Sequence, residues 1–291
     1  MLLDTASLYF RAFYGVPDKV KAEDGTSVNA ARGLLDIIAK LVTTYEPTRL
    51  VACWDDDWRP GWRVELLPTY KAHRVVEAVA GAPDVEEVPE ALTAQIPLIR
   101  DTLTALGIAV VGAADHEADD VIGTLASRAD VPVDIVTGDR DLFQLVDDAR
   151  GIRVIYTARG MSNLDIIDDA AVQARYGIRA AQYADFAALR GDPSDGLPGV
   201  PGIGEKSAAA LLTACGDLPG IRTAAADGTA GSPAQRAKIL AAAEYLDVAP
   251  TVVRVARDLD LTPADDRIHV DDSRAAAATE LAARWNLGTS M

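Results

Sequence analysis

Nine acidic side chains lie in short groups, far apart along the chain, at places where a metal-assisted hydrolytic site would need them. Asp4 and Asp56 each follow a short apolar run, Leu2-Leu3 and Leu50 to Trp54. Glu117, Asp119 and Asp120 stand at the head of a helical pattern, and Asp139 and Asp141 flank Arg140 just beyond the apolar run 133–136. Asp192 and Asp195 occupy a loop containing Gly and Pro. A single carboxylate after a strand often does no more than cap the next helix. Four groups at one place would repel one another unless cations neutralised them. Oxygen-only donors suit hard ions such as Mg²⁺ or Mn²⁺ better than zinc. His73, His116 and His269 are too dispersed for a zinc site, and the sequence suggests no Ser–His–Asp or Cys–His arrangement. Two hard ions ~4 Å apart can activate a water and stabilise the leaving oxygen of a phosphodiester.

The elements that must position these groups are readable from hydrophobic period. Leu34, Leu35, Ile38, Leu41 and Val42 carry the spacing of an amphipathic helix over residues 28–45, closed by Pro47. Largely apolar runs near 2–3, 108–111, 133–136 and 152–156 read as strands, and the unbroken run at 50–54 suits a strand buried on both faces. Helical patterns lie between them, ending at Leu106, covering about 118–128, and in a short piece at 142–146. This alternation predicts βαβ units and a mostly parallel sheet, whose ligand site forms outside the carboxyl ends of the strands. The acidic groups fall at those ends. Beyond residue 165, Ala-rich segments at 181–190, 205–215 and 233–248 predict a helical second half. The division expected is an α/β core over 1–168 and a helical region over 169–291. Residues 58–90, basic in their first half and acidic in their second, read as a long functional insertion.

Composition narrows the class. Hydrophobic residues make up 49% and charged residues 25%, ordinary for a soluble domain. No run approaches the ~20 apolar residues of a membrane helix. The N-terminus has no basic segment or apolar stretch of a signal peptide. Cys53 and Cys215 form no CxxC pair, so a cytoplasmic location and no membrane partner are expected. The net charge of −16 argues against a non-specific DNA coat, while leaving room for an enzyme whose carboxylates hold metal.

Taken in order, Asp4-Thr5-Ala6-Ser7 with Tyr9 to Phe13, Tyr70-Lys71-Ala72-His73-Arg74, Glu117-Ala118-Asp119-Asp120, Thr137 to Asp141, Gly191 to Asp195 and Gly199 to Lys206 resemble the 5′-nuclease family. That family includes the N-terminal domain of bacterial DNA polymerase I, phage 5′-exonucleases and flap endonucleases. The resemblance runs from residue 1 to about 260. It implies a PIN-like nuclease core with a helix–two-turn–helix at about 181–215. It also implies metal ligation by Asp4, Asp56, Glu117, Asp119, Asp120, Asp139, Asp141, Asp192 and Asp195. Asp56 is preferred to Asp55 and Asp57 because it lies fifteen residues before Lys71, matching the family's spacing. Lys71 and Arg74 are then the cations at the scissile phosphate. Tyr70 is expected to stack on a terminal base, and Arg63 to contact DNA. Residues 58–90 are expected to form a helical arch or gateway through which a free 5′ strand passes.

Gly199 to Lys206 superficially resembles a P-loop, but Glu205 intrudes before Lys206 and the context is two helices, so no nucleotide cofactor is expected. Gly199, Gly202, Gly204 and Lys206 are expected to meet a DNA phosphate. The resemblance further implies K⁺ on main-chain oxygens there, with Val200, Ile203 and Ser194 or Ser207 as candidates. Thr5, Arg140 and Gly196 depart from the family's usual Gly, Lys and Asn, and Gly196 is expected to loosen the loop bearing Asp195. The function implied is a free-standing, monomeric flap endonuclease/5′-exonuclease acting on 5′-flap or 5′-ended DNA in replication and repair. The alternatives are a non-catalytic structure-specific DNA-binding protein and a PIN-type ribonuclease.

Overall fold

The computed structural model describes residues 1–79, 84–268 and 272–288. The apolar runs become one six-stranded sheet ordered β5-β2-β1-β6-β7-β8. It comprises β1 (Leu2–Asp4), β2 (Val51–Cys53), β5 (Ala109–Val111), β6 (Val133–Thr137), β7 (Ile152–Tyr156) and β8 (Asp165–Ile167). All neighbours pair in parallel except β7 and β8, which are antiparallel. Helices cover both faces, which is why the central strands carry no polar alternation. Neighbouring residues of β1 point to opposite faces, so Leu2 enters one core and Leu3 the other.

The core around Leu3 is filled by α1 (Thr5–Gly15), α2 (Asn29–Tyr45) and α5 (Ile96–Ala105). The core around Leu2 is filled by α6 (Ala118–Arg128) and the helical second half. Chain order runs outward from β1 to β2 and β5, then jumps to β6 on the other side of β1. The carboxyl ends of β1 and β6 therefore flank a topological switch point, the usual ligand crevice of an open α/β sheet.

The second half contains α7 (Asp169–Tyr176), α8 (Tyr183–Arg190), α9 (Glu205–Cys215), α10 (Leu218–Asp227), α11 (Pro233–Ala241), α12 (Ala243–Val253) and α13 (Asp272–Arg284). The single helical stretch expected over 233–248 is two helices meeting at Ala242. The largest difference lies in residues 58–90. In place of a helical arch, they form the short helix α3 (Gly61–Leu66), a 3-10 turn at Ala72–Arg74 and an antiparallel ribbon of β3 (Val75–Glu77) and β4 (Val85–Glu86). Pro60 stands just before α3 and Pro68 two residues beyond its end, which keeps that helix to six residues. The one-turn α4 (Glu90–Thr93) then leads to α5. Residues 80–83, Pro83 among them, and His269 lie outside the described residues. Among the described residues no helix is long and apolar enough to cross a membrane.

Candidate active site

The switch point sets the geometry. Asp4, the last residue of β1, caps α1 by accepting from the Ser7 amide (3.1 Å), and its other oxygen accepts from the Thr137 hydroxyl at the end of β6 (2.6 Å). Thr137 Oγ1 also accepts from the Asp139 amide (2.8 Å), and Asp139 accepts from the Asp141 amide (2.9 Å). One hydroxyl thus locks the β1 and β6 carboxylates in register. Asp4, Asp55, Lys71, Glu117, Asp119 and Asp139 line a single cleft of about 500 Å³.

Inside it the carboxylates are crowded and poorly solvated. Burial pushes Asp4 up to about 6, and Asp139 adds repulsion. Burial pushes Asp55 up to about 7, with Asp4 and Glu117 contributing in the same sense. Asp119 and Asp141 are raised well above the ordinary carboxylate range, first by burial and then by the charge of Asp139. Asp195 is raised by burial to about 6, although Lys71 pulls it down. Such a set resists carrying its full negative charge without a cation.

Two cations stand on the opposite wall. Burial opposes the charge on Lys71, but Glu117, Tyr70 and Asp195 outweigh it and hold the ammonium protonated, paired with Glu117. Arg74 donates to the Ser194 carbonyl (2.9 Å) and lies 3.7 Å from Asp195. Glu86, which sequence reasoning did not single out, lines the cleft from β4, 4.0 Å from Arg74.

Several expected roles change. Asp55 lines the cleft together with Asp56; Asp55 sits among Asp4, Glu117 and Lys71 and accepts from the Ala118 amide (2.7 Å). Asp56 is 3.8 Å from Arg100 at the cleft's outer edge, and Asp57 caps the Arg59 amide (3.0 Å). Asp120 is fully buried and already satisfied: both oxygens accept from Arg63 (2.7 and 2.8 Å), and the Ala256 amide adds a third bond (2.8 Å). These bonds make Asp120 an anchor for the buried Arg63 guanidinium.

Arg63 itself is only 2% exposed. Its guanidinium binds Glu117 (2.6 Å), Asp120 and the Val252 carbonyl (3.0 Å), so it cannot reach DNA. Tyr70 is likewise buried, its hydroxyl donating to Glu117 (2.6 Å), which removes its ring as a stacking platform. These two roles could not be separated from a basic surface stretch by sequence, because their partners lie 47 to 189 residues away. Asp192 is held by Arg190 (3.0 Å), Arg140 (3.5 Å) and the Ser194 amide (3.0 Å).

The expected loosening at Gly196 is reversed. Its φ of +70° is the left-handed region, and a Cβ there would collide with the Thr69 carbonyl oxygen. Glycine lets the Asp195 loop lie directly on the Lys71 turn, where the Lys71 amide donates to the Asp195 carbonyl (3.0 Å).

In the second half, α8, the turns through 193–204 and α9 form the helix–two-turn–helix. Gly202, Gly204 and Lys206 are exposed at the start of α9, whose first turn has no side-chain cap. Gly199 is buried, and its amide is taken by the Tyr245 hydroxyl (3.2 Å), so it offers nothing to a phosphate. Lys238, unmarked in the sequence reading, brings its ammonium against Gly202. The Val200 carbonyl accepts from the Ile203 amide (2.9 Å), and Ser207 is half-buried in the first turn of α9. Ser194 belongs to the carboxylate loop instead, its hydroxyl bonded to Asp192.

Among the described residues no three Asp, Glu, His or Cys side chains already form a ready-made ion cage. Glu117, in particular, is turned to Lys71, Arg63 and Tyr70. The donor chemistry nevertheless fits hard cations, since the crowded groups are carboxylates and Asp4, Asp55 and Asp119 are disfavoured from ionising by burial and by one another.

An acidic rim at the switch point of a parallel sheet, faced by Lys and Arg, defines the class of nucleases built on a resolvase-like core. The family of the 5′-3′ exonuclease N-terminal, resolvase-like domain matches residues 1–177, and that of the 5′-3′ exonuclease C-terminal SAM fold matches residues 178–276. The chain is 60% identical to a 5′-3′ exonuclease of Streptomyces coelicolor over its whole length and 97% of that protein. It is 49% identical to a 5′-3′ exonuclease of Mycobacterium tuberculosis, covering all of this chain and 95% of that one. The solved structure of the T5 D15 protein, co-crystallized with metal ions, shares the fold with a TM-score of 0.66 at 20% identity, over 87% of this chain and 88% of that one. The chain belongs to the 5′-3′ exonuclease family.

Proposed function

We propose that this nuclease hydrolyses phosphodiesters at 5′ ends and 5′ flaps of DNA with two or more Mg²⁺ or Mn²⁺ ions. Asp4, Asp55, Glu117, Asp119, Asp139, Asp141 and Asp195 would hold the ions. The observation that carries this reading is the convergence of separate carboxylates at one switch point, with Lys71 and Arg74 across the cleft. Bound there, the ions supply an activated water and a charge partner for the leaving oxygen.

The chain's own residues do the rest. Lys71 and Arg74 exchange their carboxylate partners for the scissile phosphate and stabilise the charge that develops on it. Arg63 and Tyr70 keep Glu117 aimed while Lys71 leaves it. The insertion forms one wall of the cleft through Trp58, Lys71, Arg74, Val85 and Glu86, a space suited to one strand rather than a duplex. The duplex beside it is gripped through phosphates at Gly202, Gly204, Lys206 and the start of α9, with no sequence readout. K⁺ on the Val200 and Ile203 carbonyls would support those turns. The working unit is a monomer in the cytoplasm.

The test is cleavage of a labelled 5′-flap DNA in Mg²⁺, Mn²⁺ or EDTA, beside Asp119→Ala and Lys71→Ala. Metal-dependent cutting near the junction, lost in Asp119→Ala and weakened in Lys71→Ala, supports the reading. Tight binding without cutting under every metal condition overturns it in favour of a non-catalytic DNA binder.

A further inference from the structure

The insertion carries an ion pair that the catalytic reading leaves unused. Arg59 is buried and paired with Asp84, although neither lines the cleft. Its three guanidinium nitrogens serve two different stretches of chain. Nη1 binds Asp84, Nε donates to the Tyr70 carbonyl (2.6 Å), and Nη2 donates to the Pro68 carbonyl (3.1 Å). Asp84 returns the contact twice: its other carboxylate oxygen accepts from the Val79 amide (3.1 Å), and its carbonyl accepts from Trp58 Nε1 (2.7 Å). One side chain thus ties together the start of the insertion, the turn before Lys71 and the far side of the ribbon.

What lies beside this clasp is the Lys71 turn. Lys71 has a φ of +47°, uncommon for a residue with a long side chain. Its amide is fixed from the other side by the Asp195 carbonyl, and its own carbonyl accepts from the Arg74 amide (3.0 Å). The backbone that carries both phosphate cations is therefore suspended between the Arg59 fork and the Asp195 loop. A lysine at position 59 could meet one of the three acceptors but not all, because it lacks the planar fork.

We propose that Arg59, clasped to Asp84, is a positioning residue for Lys71 and Arg74, holding the left-handed turn that aims them at the phosphate. This rests on the nuclease reading above. Misplacing a catalytic group by an ångström can cost on the order of 100-fold in rate, whereas Arg59 and Asp84 do not line the cleft and have no part in the DNA contacts proposed above. Arg59→Lys and Asp84→Asn should each lower the single-turnover rate on 5′-flap DNA by about 10- to 100-fold. DNA affinity without divalent metal should stay close to the parent's, and Arg59→Lys, which keeps the charge beside Asp84, should hold the melting temperature better than Asp84→Asn. In a Lys71→Ala background, Arg59→Lys should cost much less, because the main group it positions is gone. Hydrogen exchange at residues 69–74 should quicken in both single variants.

The proposal is overturned if the rate is unchanged in both variants, or if the loss is the same with and without Lys71. It is also overturned if melting temperature and affinity collapse with the rate in both, or if exchange at 69–74 does not change. The exchange measurement needs no catalysis. A parent protein that cuts no DNA would therefore defeat the nuclease reading, while exchange would still decide the clasp.

Discussion

Asp119 and Asp120 are neighbours on one turn of α6, yet they belong to two electrically different regions. Asp119 joins Asp4, Asp55 and Asp139 over the switch point, where burial and mutual repulsion oppose ionisation. Asp120 lies behind that rim with Arg63, as Asp192 lies beside Arg190 and Arg140, so each carries its own permanent counter-ion. The contrast teaches that an acidic motif contains two kinds of carboxylate. One kind requires a cation from outside. The other has one built in and serves to hold the first in place.

The largest test of that contrast pairs Asp119→Asn with Asp120→Asn. Removing Asp119 relieves repulsion, so cleavage should fall below detection while the metal-free melting temperature holds or rises. Removing the Asp120 charge leaves Arg63 buried with half its partners, a loss of about 3–5 kcal/mol when one side of a buried pair is deleted. Its melting temperature should drop sharply, and activity should recover in part at low temperature. Equal melting temperatures in the two variants would erase the distinction between the regions.

Next in size is the comparison of Asp55→Asn with Asp56→Asn under saturating Mg²⁺. Loss of a group that holds an ion should cost at least about 100-fold, as loss of one stabilising donor does at other active sites. Asp56, beside Arg100 at the edge, should cost less than about threefold, in line with exposed ion pairs. The reverse ranking would restore the assignment made from spacing to Lys71.

Most of the architecture was legible because burial on both faces leaves largely apolar runs, unbroken at Leu50 to Trp54 and interrupted only by Asp134 at Val133 to Val136. β8 was not. Its three residues read Asp-Ile-Ile, Ile166 is 40% exposed at the sheet edge, and such a run carries no period. The acidic groups were legible as a set, since the parallel topology sends strand ends to one rim. Which of them point into the cleft was not, because that depends on partners from distant segments. Arg63 reaches Asp120 across 57 residues, and Val252 supplies its third acceptor across 189. The arch was misjudged for a local reason, in that length and composition marked the insertion as functional without distinguishing a helix from a ribbon.

A smaller, thermodynamic effect separates the regions without mutation. Asp4, Asp55 and Asp195 ionise at about 6 to 7 in the folded chain, against 3.8 ordinarily. Between those values the folded state binds more protons than the unfolded one, so stability must fall as pH rises. That contribution is fully present below about pH 4 and is lost as pH passes through about 6 to 7. In EDTA, the melting temperature should therefore decline from about pH 5.5 to 8. Mg²⁺ should restore more of it at pH 8, because the ion binds the ionised carboxylates. A melting temperature that rises across this window in EDTA would mean that the rim is not the dominant titrating group.

The smallest expected effect lies in the helical half, which has no comparable charge crowding. Lys206 is exposed beside Gly204 at the uncapped start of α9, where it can meet one phosphate and make no base contact. Lys206→Ala should weaken DNA binding modestly and about equally for all sequences, reducing the slope of log affinity against log salt by about 1. The cleavage rate of bound DNA should not change, because the cleft is built from other residues. A lower rate at saturating DNA with an unchanged salt slope would instead tie α9 to the chemistry, and the division between a gripping half and a cutting rim would have to be redrawn.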